Sequence, residues 1–557
     1  MRLARNAACA VHAGDRLPNC VRRPSLTGMR ITTRSVRLLC TATLLCSGAC
    51  SGRDAPTAPG APPVVPPVAP PVVPPAGASP AAIPEIAREF RGLWVATVAN
   101  IDWPSRSGLA VAVQQAELLA ILDRARATGL NAVVLQVRAA GDALYPSSLE
   151  PWSRSLTGTQ GGDPGWDPLG FAVTAAHERG LELHAWFNPF RAGNASDTVR
   201  LAATHFAKRN PALSRLHCGQ LWFEPASSAV HDQAINVVKD VVSRYDVDAV
   251  HIDDYFYPYP STACPGLDFP DSAAYADYRT AGGTMVRGDW RRDNVNRFVE
   301  RLYREAHAMR PSVRVGISPF GIWRPGNPPG IVGLDSYASI YADSRLWLQR
   351  GWVDYFAPQL YWSMASTGQS FPALVDWWTA QNTMRRHLWP GLAAYRVSDG
   401  TSSAYAASEI AAQVGALRQR ASVSGGPSGA VLYNTTSIMQ NRDGLAMLLA
   451  GGVFATRAIV PASPWLDGSA PAAPVLFVSA ATGGSGLLVS LAGDPGEPIS
   501  WWLVRWRNGT GWSQRLVTPL QRMFEVPAAA GGVATDVIVV NAIDRVGNAS
   551  ANAVWRP

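Results

Sequence analysis

Residues 247–255 read Val-Asp-Ala-Val-His-Ile-Asp-Asp-Tyr, and this short stretch decides the fold. Val250 and Ile252 alternate with His251 and Asp253, the period-two pattern of a strand with two unlike faces. A helical pattern precedes it, with Ile235, Val238, Val242 and Tyr245 at spacings of three to four. Another follows at Val295, Phe298 and Leu302. A strand set between two amphipathic helices is the repeating unit of a parallel α/β sheet.

Working outward, the same alternation recurs from Glu89 to about Val460. Strands are expected at 90–98, 131–138, 181–188, 248–254, 313–320, 353–361, 388–395 and 430–435. Eight strands alternating with helices over this length predict a (β/α)8 TIM barrel with long loops. An open doubly wound sheet is the competing α/β arrangement, but no Gly-rich nucleotide loop opens any of the helices. The segment after 463 changes character, with short strands between Gly, Pro and Asn turns and almost no helical period. It predicts a small all-β sandwich of the fibronectin III kind. There Trp501, Trp502, Trp506 and Trp512 make either a sugar-stacking face or ordinary sandwich core.

The chain has 557 residues and a formal net charge of +8, from 49 Lys+Arg against 41 Asp+Glu. Residues 1–50 contain eight Arg and a single acid, Asp15, so the remainder is close to neutral. Its only lysines are Lys208 and Lys239, and it has no basic stripe, which leaves nucleic acid without an electrostatic footprint. Arg30, Arg34 and Arg37 precede an apolar run over 38–46, then Ser47-Gly48-Ala49-Cys50. A charged segment, a short apolar run and small residues form a secretory signal. The ending is similar to a bacterial lipobox, with Ser47 where that pattern prefers Leu, and makes Cys50 the expected lipidation site. A plain cleaved signal is the alternative, and a lipid at Cys50 is the one membrane contact expected. Residues 51–86 are dominated by Pro pairs separated by Val and Ala, a semi-rigid spacer. The expected division is therefore 1–50 extension and signal, 51–86 linker, 87–462 barrel and 463–557 sandwich. Beyond Cys50 only Cys218 and Cys264 remain, as one disulfide or two buried thiols.

Several segments along the barrel are similar to the glycosyl hydrolase-like 10 family. They include Phe90-Arg91-Gly92-Leu93-Trp94-Val95, Gln136-Val137-Arg138, Gly141-Asp142-Ala143-Leu144-Tyr145 and Pro151-Trp152-Ser153. His184-Ala185-Trp186-Phe187-Asn188-Pro189, Val250-His251-Ile252-Asp253-Asp254-Tyr255, Ser318-Pro319-Phe320-Gly321-Ile322-Trp323-Arg324 and Pro358-Gln359-Leu360-Tyr361-Trp362 complete the set. The resemblance covers roughly residues 88–455. It implies a (β/α)8 glycosidase fold in a bacterial envelope protein, in a family with members that act on peptidoglycan glycan strands. Trp222-Phe223-Glu224-Pro225 departs from the family pattern, which has Asp or Asn before the Pro.

Glycoside hydrolysis uses two carboxyls across the scissile bond. Asp253 and Asp254 end a strand at the mouth of the expected barrel, with Asp253 in the inward phase of His251. Asp253 is assigned nucleophile or base, and Asp254 the orientation of loops or sugar. The acid then comes from a loop: Asp142 and Glu150 lead, with Glu224, Asp102 and Asp399 behind. Arg138, His184, Asn188, His251, Gln359 and Tyr361 are expected to contact sugar hydroxyls and carboxylates, with Arg138 suited to a lactyl carboxylate. Trp103, Trp323 and Trp362 are expected to stack on sugar rings. Each of these polar groups could equally fill a buried network, and each Trp could pack the rim. No HExxH and no paired His on one helix turn exist, so neither metal nor other cofactor is expected. The function expected is hydrolysis of O-glycosyl bonds in an envelope polysaccharide, peptidoglycan glycan above others. A non-catalytic carbohydrate-binding envelope protein is the alternative.

Overall fold

The computed structural model describes residues 82–482 and 486–557. The expected signal, Cys50 and nearly all of the Pro-rich spacer lie outside the described residues.

Eight parallel staves close into a barrel: Phe90–Val95, Ala132–Arg138, Glu182–Phe187, Ala249–Ile252, Arg314–Ile317, Tyr355–Phe356, the split pair His387–Leu388 and Gly391–Leu392, and Gly429–Leu432. The last stave pairs with the first, Phe90 opposite Gly429 and Leu93 opposite Leu432. All eight expected strands are present, but hydropathy overshoots the C-terminal end of every one except the second, which stops at Arg138 as expected. The stretch 248–254 contributes Ala249–Ile252, and 353–361 only Tyr355–Phe356. Beyond those points the apolar runs continue as loops packed on the barrel rim, where burial persists without a ladder of hydrogen bonds.

The alternation sorts residues into two cores. Val133, Leu135, Leu183, Ala185, Val250, Ile252 and Val315 face outward under the helices. Phe90, Trp94, Val134, Trp186, Ala249, Tyr355 and Trp389 fill the interior. The helix Ser228–Arg244 covers the fourth stave and buries Val230, Ile235, Val238, Val241 and Val242 on one stripe. Each such side chain contributes about 1.5–3 kcal/mol on burial. Inside, Phe90 stacks on Trp389 with ring centroids 3.7 Å apart, and Tyr355 lies 4.6 Å from Trp389. Gly316 permits this layer, because a Cβ there would sit 2.0 Å from the Tyr355 ring.

The floor of the barrel extends past the expected boundary at 462. Ser463 Oγ accepts from Arg314 Nε at 3.0 Å and lies 3.1 Å from His387 Nε2, while Trp465 donates to Asp354 at 2.8 Å. These polar groups at the strand starts need partners, and the chain leaving the barrel supplies them. The C-terminal region begins its strands at Val475. One antiparallel sheet holds Val475–Ala480, Gly486–Ala492 and Met523–Pro527. The other holds Gly511–Val517, Ile499–Asn508, Val533–Asp544, the short Ala529–Ala530 and Ala553–Trp555. Trp502 is buried between them, and Trp501 is buried edge-on to His177 of the barrel. Trp506 packs on the same core as Trp502, and Arg507 covers Trp512. A stacking face of these four Trp is therefore not formed, because Trp502 and Trp506 pack in the sandwich core and Trp501 in the seam with the barrel.

Candidate active site

Asp253 and Asp254 follow directly on Ile252, where the fourth stave leaves the ladder. Both are buried, yet they reach different sides of the mouth. Asp253 Oδ1 accepts from the Tyr255 amide at 3.4 Å, beside the Trp186 indole of the third stave, which donates to Asn188. Its Oδ2 is buried without a partner among the described residues. Asp254 accepts from the Tyr259 hydroxyl and from Gln359 beyond the sixth stave. Burial, reinforced by the adjacent Asp254, holds the Asp253 carboxyl well above the usual carboxylate range. Burial pushes Asp254 up to about 6, against the pull of its two donors. Both carboxyls are thus held above the ordinary carboxylate range, Asp253 by burial and the adjacent Asp254, and Asp254 by burial.

An aromatic wall surrounds the pair. Tyr361 stacks on Tyr433 at 6.0 Å, Tyr395 meets both edge-on, and Trp362 meets Phe320 edge-on at 5.7 Å. Tyr259 lies 5.9 Å from Tyr255 and 6.2 Å from Phe320. Flat half-buried rings beside acids are a surface suited to sugar rings.

Below the acids the expected contact residues are already occupied. His251 Nδ1 lies 2.9 Å from the Tyr355 hydroxyl, which is 3.0 Å from His184 Nδ1, while His184 Nε2 is 3.1 Å from Glu182. His184 and His251 are fully buried one layer beneath the mouth, so the expectation that they touch sugar is corrected. Arg138 and Glu150 pair through two hydrogen bonds, of 2.8 and 2.5 Å, with both side chains at 1% exposure or less. That pair removes Arg138 as a carboxylate receptor and Glu150 as a free acid, because each charge is the other's partner. Asn188 is spent on Trp186 at 3.0 Å and the Ala139 carbonyl. Asp142 folds back on the Ala140 amide of its own loop at 3.0 Å. Trp103 is wholly buried and donates to the Gln114 carbonyl, which rules it out as a stacking platform. Trp323 is held by Asp343 and stacks on Trp377.

The remaining loop acids are likewise engaged. Asp102 accepts from the Ala96 amide, Asn434 and Thr436, and burial raises it to about 6. Glu224, where the chain departs from the family pattern, faces Arg215 at 3.1 Å. Asp399 caps its own exposed turn at Thr401. Gln359 and Tyr361 are the expected contact residues that the structure does bring to the acids, while Trp362 packs against Phe320. Cys218 and Cys264 are joined in a disulfide that ties the hairpin after the third stave to the loop after the fourth. Trp94, Trp186, Arg191, Tyr259 and Tyr433 were not singled out as site residues. For Trp94 and Trp186 the inward strand phase was a usable signal, whereas Tyr259 and Tyr433 lie in loops and Arg191 in a four-residue hairpin strand, none of which carries a period.

A family model described as Glycosyl hydrolase-like 10 matches residues 89–406. Glycosyl hydrolase YngK of Bacillus subtilis (strain 168) is 40% identical over 397 residues, which is 70% of this chain and 76% of that protein. Glycosyl hydrolase DigH of Escherichia coli (strain K12) is 34% identical over 341 residues, covering 58% and 76%. Among solved structures, the PgaB (BpsB) glycoside hydrolase domain from Bordetella bronchiseptica is 15% identical with a TM-score of 0.41, covering 66% of this chain and 98% of that one. The catalytic domain of β-amylase from Paenibacillus polymyxa is 14% identical with a TM-score of 0.43, covering 65% and 95%. On the family match and the first of these relatives, the chain belongs to the glycosyl hydrolase-like 10 family.

Proposed function

We propose that this protein hydrolyses glycosidic bonds of an envelope polysaccharide, with peptidoglycan glycan strands as the substrate. The observation that carries the reading is the buried Asp253–Asp254 pair inside an aromatic mouth, with both carboxyls raised above the ordinary range. Sequence reasoning made Asp253 the nucleophile or base; its surroundings suit the opposite task. A buried carboxyl that retains its proton is a general acid, and Asp253 donates to the leaving glycosidic oxygen. Asp254, with two donors that favour its anion, faces the positive charge that develops at the sugar ring. The names of the two relatives, both glycosyl hydrolases, support the same activity.

Export and a lipid at Cys50 belong to the same proposal, supported by the Arg-rich start and the run that ends at Cys50. The Cys218–Cys264 disulfide supports an oxidising compartment. The division of the C-terminal strands into two antiparallel sheets, of three and five strands, supports the sandwich reading of that region.

Purified protein incubated with isolated glycan strands, with and without stem peptides, tests the function. Shortened strands with new reducing ends are the expected result. Binding without cleavage would establish a carbohydrate-binding protein instead.

A further inference from the structure

Arg191 begins the hairpin strand Arg191–Asn194, three residues past Asn188 at the top of the third stave. It is 7% exposed, and its guanidinium lies 5.5 Å over the Tyr255 ring, beside the acid pair. Among the described residues its side chain has no hydrogen-bond acceptor and no ion-pair partner, and Asp253 is beyond ion-pair distance. The other buried arginines differ. Arg91, Arg138, Arg291 and Arg314 pair with carboxylates, Arg505 bonds to Asn541 and a carbonyl, and Arg507 pairs with Asp536. None of the Arg191 guanidinium nitrogens is a fully buried atom without a partner, so they stay open to a ligand, and they present a planar fork that matches a carboxylate. Asp253, beyond ion-pair distance, does not answer the guanidinium.

We infer that Arg191 is the receptor for a carboxylate carried by the glycan, so that the site selects an acidic sugar. The inference rests on the glycoside-binding reading of this mouth and gives its substrate a charge. A sugar carboxylate seated on Arg191 would lie against the Tyr255 face, next to the residue that donates the proton. It would also neutralise the one cation that draws the Asp253 proton away, so binding of the correct sugar would reinforce the acid. The carboxylate has two sources in polysaccharides, the lactyl group of muramic acid and the C6 carboxyl of a uronic acid. Arg138, expected to serve this purpose, is closed off by Glu150.

The test measures equilibrium binding in the Asp253→Asn background, so that turnover does not consume the ligand. Three oligosaccharides are compared: peptidoglycan strands without stem peptides, the same strands with carboxyls amidated, and alternating glucuronate–N-acetylglucosamine chains. The acidic strands should bind at least about 10-fold tighter than the amidated ones, the worth of one charge-assisted bidentate contact. Arg191→Gln should erase that difference, while Arg191→Lys, which keeps the cation and guards against a folding defect, should retain part of it. Binding of the glucuronate chain as tight as that of the acidic strands would mean any sugar carboxylate serves; weak binding would assign the lactyl group. No preference in the arginine protein, or a preference that survives Arg191→Gln, would overturn the inference. Wild-type protein that discriminates by carboxylate yet releases no reducing ends would overturn the hydrolase reading alone. Failure to bind any of the three would overturn both.

Discussion

The indole Nε1 of Trp94 donates to Nε2 of His251 at 3.1 Å across the barrel interior. Indole N–H is a donor only, so His251 Nε2 is an acceptor and its proton sits on Nδ1. The chain beneath is thereby directed: His251 Nδ1–H to the Tyr355 oxygen, Tyr355 O–H to His184 Nδ1, and His184 Nε2–H to Glu182. Arg314 closes it, donating to both Glu182 oxygens at 3.0 and 3.1 Å.

Because burial, and then the neighbouring His184, push His251 well below 6.5, the folded protein does not protonate it where the unfolded chain does. The stability that follows from this depression is present above pH 6.5 and lost as the pH falls below it. Melting temperature measured from pH 7.5 to 4.5 should drop more steeply in the wild type than in His251→Gln, which cannot titrate. Parallel slopes would place the titration elsewhere.

Arg138 and Glu150 are a buried pair whose value lies in mutual neutralisation. Glu150→Ala strands the Arg138 charge and should cost about 3–5 kcal/mol in denaturant unfolding. The double replacement Arg138→Met, Glu150→Leu should recover most of that loss. A Glu150→Ala protein of wild-type stability would contradict the pairing.

With Asp254 at about 6, the anion that faces the sugar disappears as the pH drops through that value. The pH profile of kcat/KM should therefore carry an acid limb near 6, and Asp254→Asn should show a lowered rate without that limb. An unchanged limb in the variant would assign it to another group, Asp102 being the first to examine.

The disulfide closes a loop between residues 46 positions apart. Replacing both cysteines with serine should cost about 2–4 kcal/mol of stability. Unfolding in denaturant, with and without reductant, should show the same loss on reduction of the wild type.

The stave order was legible because Val250 and Ile252 alternate with His251 and Asp253, and the same rule sorted Val133 from Val134. Period two tells which way a side chain points but not how deep along the axis it lies. His184 and His251 share the inward phase of Asp253 yet sit a layer lower, locked to Tyr355. Tyr355 itself was hidden, since one aromatic residue in a two-residue stave leaves no pattern. The Arg138–Glu150 pair and the burial of Trp103 depend on loops folding back across a dozen residues, which no local period reports. Arg191 carries no such signal either, since it begins a four-residue hairpin strand three residues past Asn188, too short to show a period.

The most direct test of the central claim is release of reducing ends from isolated glycan strands by wild-type protein and by Asp253→Asn, side by side at pH 7. Wild-type protein should generate new ends, and Asp253→Asn, still folded by its melting temperature, should be slower by at least about 10²-fold. Equal rates from the two proteins would contradict the assignment of Asp253 as the proton donor.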